Sequence, residues 1–68
     1  MNAKEMFEAI GWEQYVAERN SKDIVAAYRK GTLRIYFYRA YGFRTNEKPF
    51  DDFWNAIYQQ MKELGWIK

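Results

Sequence analysis

Neither cysteine nor histidine occurs in this chain. Without cysteine there is no disulfide framework and no thiolate metal site. Without histidine the commonest general base is missing, together with the commonest protein ligand of zinc, copper and iron. The four glycines are scattered one to a boundary, so they build no Gly-rich phosphate loop. No apolar run approaches the ~20 residues that a membrane span needs, and the N-terminus lacks the apolar stretch of a signal peptide. The expectation is a protein without metal or cofactor that stays out of membranes and resides in the cytoplasm. Its nucleophile candidates, Ser21, Thr32 and Thr45, have no histidine to activate them. The adjacent Asp51 and Asp52 would point about 100° apart on a helix, which makes caps rather than a shared acid–base pair. Nothing here points to catalysis.

What the chain does have is aromatic mass and segregated charge. Five Phe, six Tyr and three Trp stand among 68 residues, and large rings let one short domain assemble a core. The formal net charge is only +2, but Arg19, Lys22, Arg29, Lys30, Arg34, Arg39 and Arg44 face Asp23 alone in the middle of the chain. The flanks carry the remaining four lysines and eight acids. Such asymmetry bears on partners, not on fold.

Asn2 and Glu5 have the spacing of a capping box, and Ala3, Met6, Phe7 and Ile10 form one helical stripe, predicting a helix over 3–10. Gly11 ends it with Trp12 folding back on Phe7. Met61 to Trp66 repeats the residue kinds of Phe7 to Trp12, with Trp66 placed to pack on Met61. Trp12, Tyr15 and Val16 allow a second short helical turn, and Arg19 to Lys22 read as loop. Two strands follow, 23–30 and 32–40. A tight turn at Lys30-Gly31 would set Tyr28 against Leu33, Ala26 against Ile35 and Ile24 against Phe37 on one face. A loop of three or four residues is the alternative, because lysine is not favoured at the first turn position. Gly42 marks another turn, and 43–45 is a candidate third strand with Phe43 inward. Pro49 suits a helix start, and Phe50, Phe53, Trp54, Ile57, Met61 and Leu64 make an apolar stripe over a helix at 50–64, capped by Asp51 or Asp52.

The pattern resembles small proteins encoded by phages and prophages of Gram-positive bacteria. Those proteins open with a short helix ending in Leu-Gly-Tyr or similar, continue through Ile-x-Tyr-x-Lys and Ile-x-Phe strands, and close with Ala-Ile-x-x-Gln-x-x-Glu-Leu-Gly-Trp. The corresponding elements are Ile10-Gly11-Trp12, Ala26-x-Tyr28-x-Lys30, Ile35-x-Phe37, and Ala56-Ile57-x-x-Gln60-x-x-Glu63-Leu64-Gly65-Trp66. Ala26 departs from the usual Ile or Val. The matched positions are mainly core and cap positions, so the resemblance implies the fold and a phage-like origin and carries over no catalytic residue.

The expected architecture is a single α+β domain over 1–68, in the order α-β-β-(β)-α. An antiparallel sheet of two or three strands has both helices packed on one face. The expected core takes Met6, Phe7, Ile10, Ile24, Ala26, Tyr28, Leu33, Ile35 and Phe37, with the closing-helix stripe named above. The opposite sheet face carries Arg29, Arg34, Tyr36 and Tyr38, with Arg39 and Arg44 at its edge, and these six are the candidate binding residues. Tyrosine and arginine are enriched at interface hot spots, while aromatics between cations also hold single-stranded nucleic acid. A purely structural role, stiffening the strand pair, competes with both. The resemblance implies a non-enzymatic accessory protein that binds a macromolecule of a bacterial host, such as a defence or nucleic-acid-processing protein. Direct nucleic-acid binding is the alternative, and the exposed Val25 and Tyr36 also suit a homodimer through the same face.

Overall fold

The computed structural model describes residues 1–16 and 23–67. Helix α1 (Ala3–Ala9) begins with the expected reciprocal cap. The Asn2 side chain accepts the Glu5 N–H at 2.8 Å, and the Glu5 carboxylate accepts the Asn2 N–H at 3.0 Å. The helix ends at Gly11, whose φ of +92° suits a residue without Cβ. A Cβ there would also meet the Lys30 side chain at 3.1 Å. Gly11 N–H donates to the Glu8 carbonyl and Trp12 N–H to that of Phe7, completing a Schellman ending.

Helix α2 (Asp51–Glu63) ends by the same device. Gly65, at φ +81°, donates to Lys62, and Trp66 N–H donates to the Met61 carbonyl. The Trp66 ring lies 6.3 Å from that of Phe37 and 5.8 Å from that of Tyr41. The start of α2 departs from expectation. The N-cap is Phe50, in extended conformation and with no side-chain cap, and Asp51 takes φ +55° instead of capping. The Phe50 N–H closes a tight turn on the Lys48 carbonyl and Phe50 itself is extended, so the helix begins one residue later than the stripe suggests. Both carboxylates still stand in the first turn, at the positive end of the helix dipole.

Four strands, rather than two or three, form one antiparallel sheet in sequential order: β1 (Glu13–Gln14), β2 (Ile24–Lys30), β3 (Leu33–Tyr38) and β4 (Gly42–Thr45). The helical turn expected near Tyr15 is replaced by β1, because the Schellman ending swings the chain against β2, where Glu13 pairs with Arg29 and Gln14 with Tyr28. The loop reading of residues 19–22 lies outside the described residues. The β2–β3 hairpin forms with its turn one residue later than expected, at Gly31-Thr32. Tyr28 pairs with Ile35, Ala26 with Phe37 and Lys30 with Leu33. Gly31, at φ +60°, takes the first turn position that lysine fits poorly. The pairing moves by two residues, so the side chains from Ala26 to Lys30 keep their faces. An irregularity between Ile24 and Ala26 sets Ile24 opposite Tyr38, which takes Ile24 out of the expected core. The β3–β4 connection is a three-residue loop. Its positive φ belongs to Tyr41, at +68°, and Gly42 is the first residue of β4. Phe43 pairs with Phe37 and packs against the core, as predicted.

Both helices pack on one face of the sheet. Phe7, Trp12, Phe53 and Ile57 meet Tyr28, Ile35 and Phe37 there, all buried. Phe7 stacks on Tyr28 at 3.9 Å, and Trp12 stacks on Phe53 at 4.7 Å. The buried Gln60 accepts the Tyr28 hydroxyl at 2.5 Å. Glu63 links the helices by accepting the Ala3 N–H at 2.7 Å. Helix α2 is rotated from the expected stripe. Ala56 and Gln60 face inward, while Phe50 and Trp54 are 65% and 40% exposed. Small Ala56 lets α2 approach closely, a fit that a count of large apolar residues misses.

Phe37→Ala should therefore cost about 3–5 kcal/mol, most of the ~3–10 kcal/mol expected of a chain this size. Phe50→Ala, which adds no cap, should change stability by no more than ~0.5 kcal/mol. Urea denaturation at low protein concentration checks both.

Candidate functional site

The sheet face away from the helices is built by alternation. Residues 27 and 29 of β2, 34, 36 and 38 of β3, and 44 of β4 share it through the cross-strand pairs Ala27–Tyr36, Arg29–Arg34 and Tyr36–Arg44. Five of the six candidate residues, Arg29, Arg34, Tyr36, Tyr38 and Arg44, are thereby brought together. Arg39 lies in the loop after β3, where its backbone N–H donates to the Asp23 carbonyl at 2.9 Å. It stands at the end of the face rather than on it.

The centre of the face is Tyr15, which the sequence pattern did not single out. Its N–H donates to the Ala27 carbonyl at 3.0 Å, continuing the β1–β2 pairing by one residue. Its hydroxyl lies 3.0 Å from that of Tyr36, and the two rings are 6.5 Å apart. Ala27, bonded to one and paired with the other, is only 2% exposed although it faces away from the helices. A larger residue there would lift both rings. The two-residue spacing of Glu13 and Tyr15 was the one available signal, and it is too short to establish an alternation.

Arg29 and Arg34 stand directly opposite each other, a like-charge pair that alone would destabilise the hairpin. Three contacts offset it. The Arg29 guanidinium lies 4.9 Å from the Tyr15 ring centroid and that of Arg34 lies 5.8 Å from it, so both cations share one π-system. Glu13 accepts from Arg29 Nε at 2.7 Å. Arg34 Nη1 donates to the carbonyls of Gly31 and Leu33, which folds its side chain along the turn. Tyr38 extends the aromatic row, 6.4 Å from Tyr36, and Arg44 is exposed beside it.

Burial, helped by the Tyr36 hydroxyl, pushes the Tyr15 phenol up to about 12, against the pull of Arg34 and Arg29. The phenol is therefore protonated at neutral pH. One of the two hydroxyl protons is used inside the pair, which leaves the other to donate to an incoming acceptor. The face thus offers guanidinium and phenol donors, with Glu13 as its acidic member. No group of three or more acidic residues among those described is placed to hold a metal ion. No described helix is long and apolar enough to cross a membrane.

The fold and this face define a small α+β domain with a preorganised Tyr–Arg surface. No family model, curated protein or solved structure matches the chain.

Tyr28, buried against Phe7, is also pushed up to about 12. Burial is the main cause and the Glu63 charge adds to it, while a hydrogen bond with the Gln14 side chain acts in the opposite sense. The unfolded chain releases both phenol protons from about pH 10, whereas the folded chain holds them to about 12. Stability from these groups should be complete below pH 10 and lost as pH rises from 10 to 12. Tyr28→Phe should make that alkaline loss shallower. At neutral pH the same variant should cost about 1–3 kcal/mol, because Gln60 loses its buried donor. Urea midpoints measured from pH 8 to pH 12 check both effects.

Proposed function

We propose that this protein is a non-enzymatic binding module that docks its Tyr15–Arg29–Arg34–Tyr36 face on an acidic surface of a host-cell protein. The observation that carries the reading is the arrangement of donors. Two guanidiniums are held over one ring and two phenols are tied together, so little side-chain entropy remains to be lost when a carboxylate-rich partner arrives. Tyrosine and arginine in a half-buried, ordered cluster are the residues that dominate binding energies at protein interfaces. Arg39 and Arg44 at the end of the face extend the attraction and steer the encounter.

Single-stranded nucleic acid is the second reading, and the geometry favours it less. A base stacking on Tyr15 would compete with the Arg29 guanidinium already over that ring, and Glu13 would repel the neighbouring phosphate. The resemblance to small phage and prophage proteins supports a host protein as the partner. Occupying a defence or nucleic-acid-processing protein, in the bacterial cytoplasm, is the role that fits a chain without a recognisable catalytic group. This part of the reading rests on association with that group of proteins.

The test pairs two measurements. The chain and its Arg34→Glu and Tyr36→Ala variants are used to capture partners from a nuclease-treated bacterial lysate. A protein retained by the parent chain and lost from both variants, with unchanged circular dichroism, is the expected result. Retention that is equal for all three would reject this face as the binding surface. Titration with a single-stranded oligonucleotide decides the alternative. Four neutralised phosphates would give a log–log salt slope of about −3, while the protein-binding reading expects no saturable complex.

A further inference from the structure

Helix α2 carries a second apolar surface that the core does not use. Phe50, Trp54 and Tyr58 recur every four residues along one exposed line, at 65%, 40% and 42% exposure. Lys62 continues the line, its ammonium 5.8 Å from the Tyr58 ring centroid, and the Trp54 and Tyr58 rings are 6.4 Å apart. Asp51 is exposed at the first residue of the helix, next to Phe50 at the head of this line, and Lys62 is exposed in the last turn. The ridge therefore runs from Phe50 and an acid at one end, through Trp54 and Tyr58, to a base at the other.

That order is complementary to its own reverse. We propose that this ridge is a self-association surface, on which a second copy of the chain lays its α2 antiparallel to the first. About a twofold axis near Ala56, Trp54 of each copy meets Tyr58 of the other, and Asp51 of each meets Lys62 of the other. The helix dipoles oppose in the same arrangement, and each base lies near the positive-dipole end of its neighbour only where Asp51 neutralises it. A parallel pairing would instead set Asp51 against Asp51 and Lys62 against Lys62. The charge pattern thus selects one occupant and one orientation. Because α2 lies on the opposite side of the sheet from Tyr15 and Arg34, self-association leaves the donor face free.

The surface is small, so the dimer is weak, with dissociation in the micromolar range or above. Sedimentation velocity on the full chain, from about 5 µM to about 500 µM, reads it directly. The expected result is an average mass that rises with concentration from 8.3 kDa toward twice that value. Trp54→Glu should keep the chain monomeric at every concentration. The decisive arm uses Asp51→Lys and Lys62→Asp, each checked for unchanged circular dichroism. Each should be at least tenfold weaker than the parent chain on its own, and an equimolar mixture of the two should dimerise as the parent does, since both ion pairs are restored across that heterodimer. Should Asp51→Lys fail to fold, Lys62→Asp alone and Lys62→Ala keep the comparison, with the charge reversal the weaker of the two. A parent chain that stays at 8.3 kDa to the top of the range overturns the proposal. So does a dimer unaffected by Trp54→Glu, or a mixture no stronger than its components.

Discussion

One tyrosine holds the layers of this domain together. Tyr28 stands on the second strand, stacks flat against Phe7 of the first helix, and sends its hydroxyl to Gln60 of the second. Phe7 also touches all three, with its ring 6.3 Å from Phe37 and 6.1 Å from Phe53, but Tyr28 adds a buried side-chain hydrogen bond between sheet and helix. The arrangement combines a large apolar ring with one satisfied polar tip, which is why a tyrosine and a glutamine can be buried without penalty. It also sets the rotation of α2. Gln60 must face the sheet to meet Tyr28, and Ala56, one turn earlier, then comes inward with it.

This explains where the sequence was readable and where it was not. The two faces of the hairpin were legible because strand alternation has a period of two and survives the change of register from Lys30-Gly31 to Gly31-Thr32. Both Schellman endings were legible because glycine followed by tryptophan is a local signal. The rotation of α2 was not, because hydrophobicity favours Phe50 and Trp54 over Ala56 and Gln60, and only the tertiary partner Tyr28 reverses that order. Strand β1 escaped notice for a similar reason. Two residues cannot display a period, and their pairing depends on where the Gly11 turn sends the chain.

The same short strand completes the candidate site. Four of its tyrosine and arginine residues were recognisable from their alternation on the hairpin, but they describe a row of like charges. Glu13 and Tyr15 turn that row into an ordered cluster, one by an ion pair and the other by placing its ring beneath two guanidiniums. The cost of gathering cations is met by the protein itself, before any partner is present. The cluster is therefore preorganised rather than merely basic.

The two glycine–tryptophan endings do more than stop their helices. Trp12, placed by the end of α1, stacks on Phe53 in the first turn of α2, and Trp66, placed by the end of α2, leans on the β3 ring of Phe37 and on Tyr41 in the β3–β4 loop. Each helix end is thus a wall of the core belonging to a different element. A helix terminus usually frays at little expense to the rest of a protein. Here neither can loosen without withdrawing an indole from its neighbour, so the weakest points of two short helices are tied to the unfolding of the whole.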